Sequence, residues 1–227
     1  MIRDPRQTGQ ALTAHYDALL AAHGDTAQGA GWPNEADRQR RFAVMRGLAW
    51  GGAPLGRLCD LACGTGAFLR HLQAVGAAPD RYLGIDLSGA AITQARGLHH
   101  GQANVFFLET DILSAPPAER FDHVVANGLF TVRANLSEDA MWDFMEAMIR
   151  AIWALADRGI AFNVMSAVVD WRRDDLFHVP ADRLLALLHG IAGRRVVLRA
   201  DYDLWEMTAY VWRDPPATRL FGLPPAG

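Results

Sequence analysis

Lysine is missing from this chain. All 22 basic residues are arginine, which excludes a Schiff-base lysine and the lysine of a phosphate-binding P-loop. Together with many alanines and glycines, this points to a GC-rich, bacterial coding sequence. Cysteine is almost absent as well: Cys59 and Cys63 fall inside one short motif. No second pair completes a zinc site, and a disulfide across so short a spacing would distort the segment. Both cysteines therefore read as small buried residues in a reducing cytoplasm. No apolar run approaches the ~20 residues that span a bilayer, and the opening MIRDPRQTGQ has no apolar signal core. The formal net charge is only -3, without the basic excess of a dedicated nucleic-acid binder. With 227 residues, 51% of them hydrophobic, the chain has the means to build one well-filled α/β domain.

The apolar pattern divides the chain into a helical beginning and an alternating remainder. Leu12, Tyr16, Leu19 and Leu20 form a helical stripe within residues 5–22. A glycine-rich break follows from Gly24 to Gly31. Asn34 then offers an N-cap for a second helix reaching Trp50, with Phe42, Met45 and Leu48 or Ala49 turned inward, and Gly51-Gly52-Ala53-Pro54 ends it. Short apolar runs predict strands at 57–61, 81–85, 105–108, 121–126 and 159–165. Helices are predicted over 66–75, from an N-cap at Ser88 to Gly97, from Ser137 onward, and over 181–190. The segments 195–202 and 205–213 read as strands joined by a tight turn, hence antiparallel. This alternation implies a doubly wound, mostly parallel sheet with helices on both faces. The two leading helices are too short to hold a core of their own, so residues 1–52 are expected to cap a core spanning 57–213 within a single domain, 1–227.

The chemistry-bearing motifs lie at strand ends. Asp60-Leu61-Ala62-Cys63-Gly64-Thr65-Gly66 leaves the first strand and enters a helix, where glycines admit a ligand close to the backbone and the helix start offers free N–H donors. Asp86 ends the second strand, ~20 residues past the glycines, where an acid accepts both hydroxyls of a ribose. Asp111 follows the third strand, where it can take an adenine's exocyclic amine while Ile112 packs on the ring.

Taken together, these motifs resemble class I S-adenosylmethionine-dependent methyltransferases, whose first motif is close to D-L-A-C-G-T-G and whose acids occur in this order. The resemblance implies a seven-stranded Rossmann-like sheet of order 3-2-1-4-5-7-6 with the last strand antiparallel, and S-adenosylmethionine as cofactor. It places Asp60, Gly64 and Gly66 along the methionine part with Ala62 beside them, Asp86 on the ribose with Leu87 next to it, and Asp111 with Ile112 on the adenine. A nicotinamide dehydrogenase shares the switch-point geometry, but its third glycine falls here on Leu69 behind bulky Phe68, and Asp60 suits an ammonium group better than a pyrophosphate.

The fourth-strand end, where the family diversifies by substrate, reads Ala126-Asn127-Gly128-Leu129-Phe130 and lacks the Asn/Asp-Pro-Pro-Tyr/Phe motif of nucleobase and glutamine amino-methylation. Asn127 and Phe130, with Asn163 after the fifth strand, are expected at the sulfonium end of the cleft. Trp32 and Arg41 fall where the cap meets the cofactor, Arg41 as a partner for its carboxylate. Asp170, Trp171, His178, Tyr202 and Glu206 are within reach of a substrate pocket, whereas His123 reads as a satisfied core histidine. No three oxygen ligands for magnesium gather around the fourth and fifth strands, and no metal is expected. The expected activity is methyl transfer to O or N of a small molecule, of natural-product or sugar-linked type, in the cytoplasm, with no nucleic-acid or membrane partner. The alternatives are an RNA or protein methyltransferase, whose arginines would cluster at the cleft, and a non-catalytic cofactor-binding subunit.

Overall fold

A computed structural model describes residues 4–49 and 53–214. Helix α1 (Pro5–His23) starts where Asp4 accepts from the N–H of Arg6, and α2 (Glu35–Met45) where Asn34 accepts from that of Asp37. Both caps satisfy donors that a helix start leaves free. A short 3-10 turn, Arg46–Leu48, extends α2; Trp50, Gly51 and Gly52, expected to finish it, lie outside the described residues.

The alternating part follows: β1 (Arg57–Leu61), α3 (Ala67–Ala74), β2 (Arg81–Asp86), α4 (Gly89–Leu98), β3 (Val105–Glu109), β4 (Phe121–Phe130), α5 (Glu138–Leu155), β5 (Ala156–Ser166), β6 (His178–Val179), α6 (Ala181–Ala192), β7 (Val196–Arg199) and β8 (Glu206–Trp212). The strands form one sheet of order β3-β2-β1-β4-β5-β8-β7, with two-residue β6 beside the end of β5. Apart from that small addition, this is the expected order, with β8 antiparallel to its neighbours. The strand at 121–126 in fact runs on to Phe130, because a bulge after Ala126 lets it resume pairing at Phe130↔Val164.

Successive residues of the central strands serve two cores. Cys59, Leu61, Val124, Ile160 and Phe162 face α5 and α6, whereas Leu58, Val125, Ala161, Tyr210 and Trp212 face α2 and α3. A strand covered on both faces needs apolar residues in both registers, which is why these runs lack polar alternation. Among the described residues no helix is long and apolar enough to cross a membrane.

Gly84 is a tightly packed point of the sheet, beside the turn that leaves β1. A Cβ there would lie 2.7 Å from Phe107 Cδ1 and 2.8 Å from Cys63 Sγ. Gly84→Ala should therefore destabilise the fold by about 1–3 kcal/mol through overpacking. Urea unfolding should show a lower midpoint at unchanged slope; an unaltered midpoint would mean that Phe107 yields freely.

Candidate functional site

The sheet order reverses between β1 and β4, and helices leave those two strands on opposite faces, so a crevice opens above their carboxyl ends. The turn from β1 to α3 forms its floor. Ala62, Gly64 and Gly66 all have positive φ (56°, 54° and 78°). For Ala62 this left-handed conformation costs roughly 1–2 kcal/mol, of the kind stored where a ligand is held. At Gly64 a Cβ would meet no protein atom within 4 Å, so the glycine leaves open space above the turn. Gly66 has another role: a Cβ there would sit 2.7 Å from His99 Nε2, so it keeps the α3 start against α4 and does not line the cavity.

Asp60, Ala62, Gly64, Asp86, Leu87, Asp111, Ile112, Asn127 and Trp32 all line one cavity, so the structure brings together most of the residues the sequence singled out. Asp86 accepts from the N–H groups of Gly64 (2.8 Å) and Ser88 (2.9 Å). Two bonds leave acceptor capacity on this carboxylate. Desolvation in the cleft lifts its pKa above the usual range, while those two N–H donors pull it back. Asp111 is oriented by the Leu113 N–H (2.9 Å) and Ser114 hydroxyl (2.7 Å), beside buried Ile112.

The roof comes from the amino-terminal segment. One face of α1, including Gly9, Thr13, Tyr16 and Leu20, lines the cavity, as do Gly24–Thr26 and Trp32. The strap between α1 and α2 is tied to the floor: Asp25 accepts from the Thr65 hydroxyl (2.5 Å) and from Arg70 Nη2 (2.6 Å). Helix α1 is tied as well, since the Ser88 hydroxyl donates to Asp17 at 2.5 Å. The Tyr16 hydroxyl donates to the Gly128 carbonyl at 3.4 Å, and burial pushes its pKa up to about 12. Sequence reasoning passed over Asp17 and Asp25; spacing of i, i+4, i+7 and i+11 from Gly9 to Leu20 was the available signal for α1.

Three expected positions are corrected. Arg41, the anticipated carboxylate partner, instead donates to buried Glu206 (2.8 Å from Nε, 2.5 Å from Nη2) and lies on the Trp32 ring, 4.1 Å from its centroid. Arg38, one helical turn earlier, does line the cavity, as Arg6 does from α1; the Nη2 of Arg38 meets Glu35 at 2.7 Å, and its buried Nε has no partner. Phe130, beyond the bulge, is turned into the core against Phe144 and Phe162. Asn163 is 1% exposed, inside β5, where it bonds to the Gly128 N–H and to Glu206 and does not line the cavity.

Asn127 is placed as expected, and neither oxygen nor nitrogen of its buried amide has a partner within the protein. An orphaned amide facing a cavity invites a ligand, because leaving it unpaired costs about 1–3 kcal/mol. Of the more distant candidates, Tyr202 bonds to Thr208 (3.0 Å) and His178 to the Ser166 carbonyl (2.9 Å), while Asp170 and Trp171 are exposed. His123 is buried with Nδ1 2.8 Å from the Leu55 carbonyl, and burial lowers its pKa. Among the described residues no group of three or more His, Cys, Asp or Glu gathers to hold a metal ion.

Residues 58–155 match a family model described as a methyltransferase domain. A protein of Mycobacterium tuberculosis (strain ATCC 25618 / H37Rv) named "Putative methyltransferase Rv1506c" is 34% identical over 154 residues, covering 67% of this chain and 90% of that protein. The chain belongs to the class I S-adenosylmethionine-dependent methyltransferases. The fold agrees with solved structures. Magnesium protoporphyrin IX methyltransferase (ChlM) from Synechocystis PCC 6803, solved with bound SAM, superposes with a TM-score of 0.60 at 15% identity, over 94% of this chain and 99% of that one. The N-methyltransferase NodS from Bradyrhizobium japonicum WM9, in complex with S-adenosyl-L-homocysteine, gives 0.58 at 17% identity, over 90% and 97%.

The methyltransferase floor carries a proton-linked cost. Asp60 is 2% exposed and accepts from the Tyr82 hydroxyl at 2.6 Å, and burial pushes its pKa from 3.8 up to about 7 against that hydrogen bond. Between those two values the folded chain keeps a proton that the unfolded chain has released, so Asp60 makes stability fall as pH rises from about 4 to about 7 and level off above. Asp60→Asn, which keeps an oxygen for Tyr82, should remove a loss on the order of 4 kcal/mol across that window. Urea titrations over this range check it; parallel pH profiles for the two proteins would contradict the assignment.

Proposed function

We propose that the protein methylates an O or N atom of a small-molecule acceptor in the cytoplasm, within one catalytic domain that includes its own cap. The observation that carries this reading is the roof: α1, the strap and Trp32 cover the cleft beside Asn127, so an acceptor has to fit beneath them. The disposition of arginines agrees. Arg57, Arg81, Arg120, Arg150 and Arg173 are each paired with an acid, which leaves them poorly suited to track a nucleic-acid backbone.

Several features fit the cofactor: the open space over Gly64, the spare acceptor capacity of Asp86, the apolar wall at Leu87 and Ile112, and the unpaired Nε of Arg38. On this reading Asp111 with Ile112 holds the adenine, Asp86 the ribose, and Asp60, Ala62, Gly64 and Arg38 the methionine end, Arg38 facing its carboxylate. When bound, the cofactor supplies a methyl group on a sulfonium that is already a good leaving group. What remains for the chain is to align the acceptor, exclude water and stabilise position. Asn127 and Tyr16 border the acceptor end, and a tyrosine with its pKa raised to about 12 is neutral at physiological pH. These groups orient an acceptor atom without ionising it, which favours a nucleophile already competent at neutral pH, such as an amine lone pair or an acidic hydroxyl.

The test begins with binding. S-adenosylhomocysteine should bind in calorimetry and NADH should not. Asp86→Ala should weaken S-adenosylhomocysteine at least about tenfold, as expected for loss of a charged hydrogen-bond acceptor worth roughly 1.5–3 kcal/mol. Arg38→Ala should weaken S-adenosylhomocysteine by a similar factor, yet leave methylthioadenosine, which has no carboxylate, nearly unchanged. Equal losses for both ligands would move the carboxylate away from Arg38. A metabolite library incubated with methyl-labelled cofactor should then yield a labelled small molecule. Label appearing only in RNA or protein would refute the acceptor class.

A further inference from the structure

The bulge in β4 is held by a buried chain of polar groups that the cofactor site does not use. Ala126 and Phe130 are four residues apart, yet they pair with Phe162 and Val164, which are two apart. The extra residues release the Gly128 N–H from the strand ladder, and Asn163 Oδ1 accepts it at 2.7 Å. The other end of the same amide, Nδ2, donates to Glu206 Oε2 at 2.6 Å. An amide between neutral neighbours can exchange its two ends, and the wrong end would set an NH2 group against the Gly128 N–H. An ionised carboxylate only accepts, so Glu206 fixes which end of Asn163 faces the bulge.

Glu206 is 1% exposed and needs a cation to remain charged at that depth. Arg41 supplies it from α2 with two hydrogen bonds. The guanidinium of Arg41 also lies on the Trp32 ring, and that ring in turn lies over Gly128. With φ at +90°, Gly128 has no Cβ, and one placed there would be 2.6 Å from Trp32 Cζ2. Arg41 thus reaches Gly128 by two routes, through Glu206 and Asn163 to its N–H and through Trp32 to its Cα. Next to this fixed glycine stands the unpartnered amide of Asn127.

We infer that Arg41, Glu206 and Asn163 are positioning residues for methyl transfer, setting the Asn127–Gly128 corner at the acceptor end of the cleft. The inference rests on the proposed acceptor site only in assigning what Asn127 faces; the relay to Gly128 stands on its own geometry. A purely structural role predicts something different. A buried ion pair exchanged for apolar residues of similar volume is often neutral or stabilising, so Arg41→Leu/Glu206→Leu would then leave the corner and the turnover as they are.

Amide hydrogen exchange by NMR on the full chain, saturated with S-adenosylhomocysteine, separates the two. In Arg41→Leu/Glu206→Leu, exchange at Gly128 should accelerate at least about tenfold relative to Val125 and Ala126 in the same strand. Arg41→Lys keeps a cation beside Glu206, so the acceptor-only carboxylate still faces Asn163, and should hold exchange within about threefold of wild type. Asn163→Ala cuts the relay while sparing the ion pair and should behave like the leucine pair, which covers the case in which that pair fails to fold. With an acceptor from the labelled screen, the leucine pair or Asn163→Ala should lower kcat about tenfold or more with S-adenosylhomocysteine affinity retained. Unchanged Gly128 exchange in a folded variant, or faster exchange with kcat intact, would overturn the inference. Failure of the wild type to bind S-adenosylhomocysteine would instead count against the cofactor reading, and the same exchange comparison, run on ligand-free protein, would still test the relay.

Discussion

The reversal of strand order between β1 and β4 is the constraint on which the rest of this molecule depends. Two parallel strands whose crossovers run to opposite faces cannot both be covered at their carboxyl ends, so the fold leaves an opening there. The consequences are local and chemical. The chain must leave β1 in a left-handed turn to start α3 without closing the gap, which is why Ala62, Gly64 and Gly66 share positive φ. It must also end β2 and β3 with groups able to face water or a ligand, and Asp86 and Asp111 occupy those places.

Much of this was legible from residue order. Asn34 and Ser88 each cap the helix they were expected to cap, because a side-chain oxygen before a helical stripe is a local signal with a local effect. The strand runs and the terminal hairpin were legible for a similar reason: burial on both faces forces continuous apolar runs. The site residues at strand ends followed from them, since a strand end fixes where its last side chain stands.

What escaped the sequence is non-local. Arg38 and Arg41 occupy neighbouring positions on one helix face, and the amphipathic pattern of α2 treats them alike. Only the arrival of Glu206, 165 residues from Arg41, decides which of them is engaged in the interior and which meets the cavity. The bulge at Gly128 was missed because Asn-Gly reads as a strand terminus. The strand continues because Asn163 supplies the acceptor that the ladder no longer offers, and Phe130 is carried into the core as a result.

The tie between Asp25 and the pair Thr65 and Arg70 has a corollary. It joins the covering strap to the turn that forms the floor of the cavity, so loosening one loosens the other. Its side chains remain partly open to solvent, and ion pairs of that kind contribute only about 0–1 kcal/mol and are weakened by added salt. The enclosure is therefore held by a light clasp whose strength the ionic medium sets. Added salt loosens the strap over the cavity, while the deeply buried interior beneath it stays indifferent to the same ions.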